Sequence, residues 1–342
     1  MAVVHSGKER IGISSTVPVE VVYASGCVPV DLNNAFISWN PPQILIDEAE
    51  RQGMPRTVCA WVKGVYSVIR NTNINVIIGV MQGDCAPMTS MLQLLMPLGV
   101  EFIPFSYPYD QDRQLLRREV QKLMEYFGVQ WDAVEEAKKR LDVIRKLAHE
   151  IDRRTWELNS FSGQENLYAL VNCTDFKSDP DVFQMELDAM LRKPPRDYPA
   201  DEIRLGLLGV PGVFSDLYSY LEERGARVVF NEIARQFAMP EYAKDLLDQN
   251  LNYTYPYSVF GRLRDIQEQA QIRQLDGYIH YIQAFCHHQL EDQGFRQHLK
   301  MPVLSLEGDR VGPLDGRTRT RLDAFLHMLR HKKKAQHGST RH

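Results

Sequence analysis

Several features that would define the class of a protein are missing from this sequence of 342 residues. It has no stretch of about 18 consecutive apolar residues, so we expect no membrane span. The N-terminal segment lacks the long apolar core of a signal peptide, and a cytoplasmic location is expected. The GxxxxGK(S/T) phosphate-binding loop is absent, which argues against a P-loop ATPase. The glycines in "GLLGVPG" do not follow the GxGxxG order of dinucleotide-binding proteins.

A strong excess of charge is lacking too. The 40 Lys and Arg residues nearly balance the 44 Asp and Glu residues, and the net charge of −4 gives no reason to expect nucleic acid as a partner. Basic residues are concentrated at the C-terminal end, in "HKKKAQHGSTRH", residues 331–342. We expect this basic tail to be disordered.

Cysteine is scarce, and its number is odd. The five cysteines are Cys27, Cys59, Cys85, Cys173 and Cys286. Thiols stay reduced in the cytoplasm, so an odd number there argues against a disulfide framework. What remains is a choice between buried thiols, metal ligands and a nucleophile.

Apolar runs alternate with helical patterns along the chain, which predicts parallel sheets joined by right-handed crossovers. The first half contains the strands "NINVIIGVMQGDC" and "GVEFIPFSYP", and the second contains "IRLGLLGVPG" and "LDGYIHYIQAFC". Residues 111–157 have a helical pattern that breaks near "FGVQWD". We therefore predict an α/β fold of two Rossmann-like parallel-sheet halves with helical connecting segments, residues 1–157 and residues 158–342 with the basic tail.

Two cysteines stand at the ends of predicted strands. Cys85 closes "VIIGVMQGDC" and Cys286 closes "YIHYIQAFC", at comparable places in the two halves. Sites in open α/β sheets form beyond the carboxyl ends of strands, and two such ends facing across a cleft would bring these thiols together. Cys59 lies far away in the sequence, between a Pro-Arg-Thr turn and a predicted helix. The wide spacing is unlike the compact motifs of zinc ribbons and small ferredoxins.

The residue types alone leave three interpretations of these cysteines open. A zinc site would need four ligands, and His287 or His288 could complete a Cys3His set. An iron–sulfur cubane would need thiolates and would allow one iron a different ligand. In the third interpretation there is no metal, and the two histidines face water at the start of a helix. Cys27 and Cys173 are expected to be buried structural thiols.

The segment "GISSTVPVEVVYASG" also admits two interpretations. Ser14, Ser15 and Thr16 precede Pro18, and Glu20 follows it, which is typical of a capped helix start with a carboxylate in its first turn. Alternatively, these polar groups lie beside a functional site. The chemistry of the segment alone favours the helix cap.

Several of these stretches, taken together, resemble the 2-hydroxyacyl-CoA dehydratase / benzoyl-CoA reductase family, and in particular the D component of 2-hydroxyglutaryl-CoA dehydratase. The resemblance runs almost from end to end. It is carried by "STVPVEVVYASGCVPVDL", "CAWVKG", "GDC", "ERGARVVFNEIARQFAMP", "DGYIHYIQAFCHHQLED" and "LSLEGDRVGPLDGRTRTRLDAFLHML". Each piece is short, but the combination is specific.

The resemblance implies a [4Fe–4S] cluster in the cleft between the two halves. Members of the family hold the cluster on three cysteines, which match Cys59, Cys85 and Cys286. The fourth iron is then free of protein thiolates, and Glu20 with Ser15 or Thr16 matches the segment near that iron. We expect these three residues to be catalytic. A double-cubane cluster would need six cysteines, which five cannot supply.

The resemblance also implies a reaction and its partners. The expected activity is a lyase that removes water from a 2-hydroxyacyl-CoA thioester through a ketyl radical, under anaerobic conditions. The partners would be a related second subunit or a second copy of this chain, and an ATP-hydrolysing iron–sulfur activator protein. A benzoyl-CoA reductase-type subunit and a cluster subunit that only relays electrons are the alternatives. The acyl group cannot be predicted from these motifs.

Overall fold

Two four-stranded parallel β-sheets form the framework of the protein, in a computed structural model that describes residues 9–196, 198–199, 201–240 and 243–339. The strand order is β2-β1-β3-β4 in the first sheet and β6-β5-β7-β8 in the second, so the two sheets repeat one topology. The strands are β1 (Arg10–Ile13), β2 (Val28–Asp31), β3 (Val76–Gln82), β4 (Glu101–Ser106), β5 (Ile203–Leu208), β6 (Ala226–Asn231), β7 (Gly277–Gln283) and β8 (Val303–Gly308).

Helices connect the strands and cover both faces of each sheet. The first sheet and the region after it carry α1 (Val19–Ala24), α2 (Leu32–Ile37), α3 (Gln43–Arg51), α4 (Ala60–Asn71), α5 (Ala86–Leu95), α6 (Arg113–Phe127), α7 (Trp131–Trp156), α8 (Gly163–Val171) and α9 (Pro180–Leu191). The second sheet carries α10 (Leu217–Glu222), α11 (Glu232–Phe237), α12 (Leu246–Asn252), α13 (Val259–Ile272), α14 (Glu291–His298) and α15 (Gly316–Ser339).

The central strands are apolar because they are buried on both faces. The first five residues of β3, Val76–Val80, are buried, and so are six of the seven residues of β7. Side chains of β3 enter two separate hydrophobic cores, one with α1 and α6 and the other with α4 and α5. Continuous apolar runs of this kind are typical of parallel sheets covered by helices on both sides.

The long helix α7 is tied to both halves by buried ion pairs. Its Arg145 donates to Glu20 of α1 over 2.7 Å, and its Asp152 accepts from Arg273, which follows α13, over 2.6 Å. Breaking such a pair by removing one partner leaves a buried charge uncompensated, which costs about 3–5 kcal/mol. These pairs therefore fix the position of α7 relative to the elements on either side.

The α/β class, the parallel sheets and the break between α6 and α7 are confirmed. The strand β1 was not predicted. The expectation of a disordered basic tail is wrong as far as Ser339, because α15 continues to that residue; residues 340–342 lie outside the described part. No helix in the described ranges is long and apolar enough to cross a membrane. The division after residue 157 stays a prediction.

Candidate functional site

A cavity of about 170 Å³ lies where the carboxyl ends of the two sheets meet. Its wall includes Ser14 after β1, Cys85 after β3, Val210 after β5 and Cys286 after β7. One water molecule needs about 10–15 Å³ measured in the same way, so the cavity has room for a larger group. Its position is the one expected for a site in an open parallel sheet.

The structure brings Cys59, Cys85 and Cys286 to the wall of this cavity. Each of the three immediately precedes a helix: α4, α5 and the short 3-10 helix His287–Leu290. None of these cysteine side chains caps its helix, but backbone N–H groups of the first turn act to lower the pKa of each thiol, against the larger effect of burial. Helix N-termini favour negative charge, so this placement stabilises the thiolate form that binds metals.

Burial acts in the opposite direction on these thiols. It raises the pKa of Cys59, and it raises the pKa of Cys286 to about 12, where the nearby Cys59 adds to the effect. Burial and the neighbouring Asp84 carboxylate raise the pKa of Cys85 still further. Three thiolates in one cavity therefore need a cationic group to balance them, and the binding of such a group releases protons.

The three thiols in the cavity wall could hold a cluster. Within the described part of the chain, no three His, Cys, Asp or Glu side chains are placed to hold one metal ion together. The thiolates of a [4Fe–4S] cluster each bind a different iron, so their sulfur atoms surround a volume and do not converge on a point. A lined cavity with one thiol on each of three separate helix starts fits that requirement.

Three residues of the cavity wall carry buried polar atoms that lack a hydrogen-bond partner among the described residues. These atoms are Oγ1 of Thr16, Nε1 of Trp61 and Nε2 of His288. A buried polar group without a partner is costly, and a ligand in the cavity would remove that cost. The indole nitrogen can only donate, so it suits a ligand atom that accepts hydrogen bonds.

His288 is oriented by a chain of charged groups. Its Nδ1 lies 2.9 Å from Oε1 of Glu291, Glu291 pairs with Arg262, and Arg262 donates to Glu232 over 2.7 Å. Metal-binding histidines are oriented in this way. A carboxylate holds one ring nitrogen, and the other nitrogen binds the metal. His287 also lines the cavity, and its ring lies 4.0 Å from that of His288.

Two carboxyl groups in the wall were not among the predicted site residues. Burial raises the pKa of Asp84 to about 6. The Cys85 N–H and the nearby His288 act to lower this pKa, and the Asp31 carboxylate acts to raise it. Burial also raises the pKa of Asp31, whose carboxylate caps α2. Asp84 directly precedes Cys85 in the "GDC" motif, and this adjacency was the signal that could have identified it.

Ser14, Ser15 and Thr16 line the cavity and do not cap a helix. The helix cap favoured from the sequence is wrong, because α1 begins only at Val19 and has no side-chain cap. The segment instead continues β1: Ser14 N–H donates to Ile78 over 3.1 Å, and Ser14 Oγ accepts from the Val80 N–H over 3.2 Å. Pairing with β3 thus carries the hydroxyl groups to the cavity.

Glu20 lies behind this segment and is not part of the cavity wall. Its side chain is 1% exposed, and its Oε1 accepts from Arg145 and from Gln249, each over 2.7 Å. The geometry makes Glu20 a buried partner of α7. The catalytic role expected from the sequence stays a prediction, and it would have to act through neighbouring groups.

The two remaining cysteines lie away from the cavity wall. Cys27 is buried just before β2, and Cys173 is buried in the short 3-10 helix Asn172–Thr174, where its sulfur contacts the Ala169 carbonyl oxygen at 3.4 Å. Both are packed as small apolar side chains, which is common for free cysteines.

The comparison with protein families gives one result. The family model described as 2-hydroxyglutaryl-CoA dehydratase, D-component, matches residues 14–329, nearly the whole chain. The match includes the segment from Ser14 to Thr16 and all three cysteines of the cavity. No curated protein matches the sequence.

Proposed function

Since the chain belongs to the family of the 2-hydroxyglutaryl-CoA dehydratase D-component, and is thereby a component of a dehydratase, we propose that it is the iron–sulfur subunit of a 2-hydroxyacyl-CoA dehydratase. It would remove water from a 2-hydroxyacyl-CoA thioester. The observation that carries the proposal is the meeting of three thiols, from distant parts of the sequence, in one cavity at the sheet ends.

Cys59, Cys85 and Cys286 would hold a [4Fe–4S] cluster. Their positions at helix N-termini support this role, because backbone N–H groups there stabilise the negative charge of thiolates and of the cluster. The unpaired N–H of Trp61 supports it further, since cluster sulfurs and thioester oxygens both accept hydrogen bonds. A bound cluster or thioester would therefore give the Trp61 N–H the acceptor that it lacks among the described residues.

When bound, the cluster supplies one electron of low potential to the thioester, and this electron is returned at the end, so the overall elimination is redox-neutral. The C2–O bond breaks, the hydroxyl group takes up a proton and leaves as water, and a β-proton is lost. The intermediate would be a ketyl radical on the substrate. Without the added electron the β-proton is not acidic enough to be removed.

The residues of this chain would bind and orient the thioester. Ser15 and Thr16 line the cavity and would hydrogen-bond to the substrate from the end of β1. Glu20 would act one step further back, because Arg145 and Gln249 hold its carboxylate outside the cavity wall. Apolar side chains such as Val62 and Met88 exclude water from the reacting groups.

Partners are part of the proposal. The family is named for one component of an enzyme, which supports a second, related subunit or a second copy of this chain. The sequence has no phosphate-binding loop, so ATP-driven delivery of the electron would need a separate iron–sulfur activator protein. Sedimentation of the anaerobic protein should therefore give a dimer, with itself or with the second subunit.

The unpaired Nε2 of His288 favours one alternative function. If this nitrogen binds the fourth iron, no site is open to a thioester, and the subunit would only relay electrons. The carboxylate of Glu291 on the other ring nitrogen is what such a ligand would require. Changing His288 to Ala, with His287→Ala as the control, distinguishes the two functions through the electron paramagnetic resonance spectrum of the cluster.

Turnover tests the dehydratase function directly. Anaerobic protein, the second subunit where one exists, activator, ATP and reductant are mixed with a 2-hydroxyacyl-CoA, and the enoyl-CoA product is measured. We expect product only when ATP is present. Two results together would mean that the chemistry takes place in the other subunit. Added thioester would leave the spectrum of the cluster unchanged, and the complex would make product at an unchanged rate after His288→Ala.

A further inference from the structure

The described wall of the cavity contains no cationic Lys or Arg side chain. The groups able to carry charge are the carboxyls of Asp31 and Asp84, the three thiols and two histidines. The wall also has neutral polar side chains, namely Ser14, Ser15, Thr16, Asn33, Asn34 and Tyr255. The rest is apolar and includes Ile37, Trp61, Leu167, Val171, Val210 and Phe237. This composition restricts the acyl groups that the cavity can accept.

A second carboxylate on the substrate would be poorly bound in such a wall. Moving an ionised carboxylate out of water is costly unless a cation or several hydrogen-bond donors replace the water. Here no Lys or Arg lies in the wall among the described residues, and the side-chain amides of Asn33 and Asn34 already donate to protein oxygen atoms. A cavity built for 2-hydroxyglutarate would instead be expected to offer an Arg or Lys to its distal carboxylate.

Apolar residues from separate elements line the same cavity. Leu167 and Val171 are four residues apart on α8 and therefore share one face of that helix. Val210 follows β5, and Phe237 ends α11. These side chains follow residue 157 in the sequence, and they share the cavity wall with Ser15 and Thr16.

We propose that the substrate of this dehydratase carries an uncharged, apolar acyl side chain, aliphatic or aromatic, and not the dicarboxylic chain of 2-hydroxyglutarate. The inference rests on the proposed function, since it concerns the same cavity. The family description does not say which acyl group this chain accepts. The cavity wall supplies a substrate class for the proposed reaction.

Binding can be measured separately from turnover with thioesters that lack the 2-hydroxyl group. The cluster-containing anaerobic protein, with its second subunit where one exists, is dialysed to equilibrium against 4-methylpentanoyl-CoA or glutaryl-CoA. The two share the whole CoA group and differ mainly in the distal carboxylate. We expect the uncharged thioester to bind at least about tenfold more tightly. Equal binding, or tighter binding of glutaryl-CoA, overturns the substrate class but leaves the proposed function standing.

A pair of variants localises the preference. Val171→Arg adds a cation to the wall, and Val171→Met adds a side chain of comparable length without charge. We expect Val171→Arg to reduce the preference by at least about tenfold, and Val171→Met to keep it. An unchanged ratio in Val171→Arg, with normal iron content, contradicts the proposed location of the acyl chain. Failure of both thioesters to bind the wild-type protein contradicts the dehydratase function itself, and the substrate class with it.

Discussion

At the scale of single residues, the surroundings of the cavity contain carboxyl groups whose charge is not balanced. Asp175 is buried, and its carboxylate accepts from the backbone N–H of Asp31 over 2.7 Å and of Lys177 over 2.9 Å. Burial, followed by the nearby Asp31 carboxylate, raises the pKa of Asp175 to about 7. The folded protein therefore holds a proton on Asp175 that the unfolded chain releases near pH 4.

This linkage makes stability depend on pH. Because the pKa of Asp175 is higher in the folded than in the unfolded protein, its contribution is complete below about pH 4 and is lost as the pH rises through about 7. Between pH 5 and 8 the free energy of unfolding should fall by about 2–3 kcal/mol more in the wild type than in Asp175→Asn. Urea denaturation at several pH values measures this difference.

The matched control is Asp181→Asn, because the Asp181 side chain is 74% exposed. It should follow the wild-type pH dependence. Parallel curves for the wild type and Asp175→Asn would show that Asp175 titrates at its ordinary pKa in the folded protein, contrary to this account.

Glu20 offers a second test at this scale. Glu20→Gln removes the carboxylate that compensates Arg145, whose other anionic partner is the partly exposed Asp142. We expect the free energy of unfolding to decrease by about 3 kcal/mol. The control Glu186→Gln breaks the more exposed pair with Lys177 and should cost less than about 1 kcal/mol.

The same variant tests the catalytic role expected for Glu20. Iron content should stay unchanged in Glu20→Gln, because Glu20 is not proposed as a ligand. Reduced turnover at a temperature where the variant is fully folded would support a contribution to catalysis. Full turnover would leave Glu20 with its structural role alone.

Residue types and their positions near strand ends were enough to single out Cys85 and Cys286 from the sequence. His288 was a candidate ligand from the sequence, but its role could not be chosen there. Asp84 was not predicted, although it directly precedes Cys85. The environment of Asp84 depends on burial. That of His288 depends on the ion pairs from Glu291 through Arg262 to Glu232, which are brought together only by folding. Glu20 shows the reverse case: its sequence position suggested the site, but α7 supplies its partner.

At the scale of elements, the turns after the strands determine where the cysteines lie. Gly83 connects β3 to Cys85 with φ of +101°, a backbone conformation that residues with a side chain rarely adopt. A Cβ added at this position would lie 2.6 Å from Cβ of Pro256. Gly53 has a similar φ of +99°, but no atom lies within 4 Å of its added Cβ. Comparing alanine substitutions at the two glycines therefore separates the cost of backbone strain from the cost of a steric clash.

We expect Gly83→Ala to destabilise the protein by about 1–3 kcal/mol more than Gly53→Ala, because the strain is shared and only the former adds the clash. Displacing the turn should also move Cys85, so the Gly83→Ala protein should bind less iron. Chemical denaturation and iron analysis measure both effects. Equal stability and equal iron content in the two variants would contradict this prediction. They would mean that Pro256 shifts to make room for the added Cβ while the turn keeps its position.

Periodicity predicted the elements with long apolar or amphipathic patterns and missed those stabilised mainly by tertiary contacts. The strand β1 has only four residues, too few for a pattern, and it is held by β2 on one side and β3 on the other. The end of α15 looked polar and disordered. Its earlier residues Leu322, Leu326 and Leu329 pack on the second sheet, and the Lys-rich continuation consists of good helix formers.

At the scale of the whole molecule, one repeated topology explains the cavity. The strands β3 and β7 occupy equivalent positions in the two sheets, so Cys85 and Cys286 follow equivalent strands. The fold class and this equivalence could be predicted from alternating patterns. The arrival of Cys59 at the same place could not, because its position depends on how the start of α4 packs against the second half; for this cysteine only the family resemblance gave a prediction.

The most direct test of the account is the iron and sulfide content of anaerobically purified protein and of its cysteine variants. We predict about four iron and four sulfide per chain in the wild type. Serine at position 59, 85 or 286 should lower both strongly, whereas Cys27→Ser and Cys173→Ser, checked for folding by circular dichroism, should keep them. A wild-type protein without iron, or equal iron loss in all five folded variants, would contradict the claim that Cys59, Cys85 and Cys286 bind a cluster.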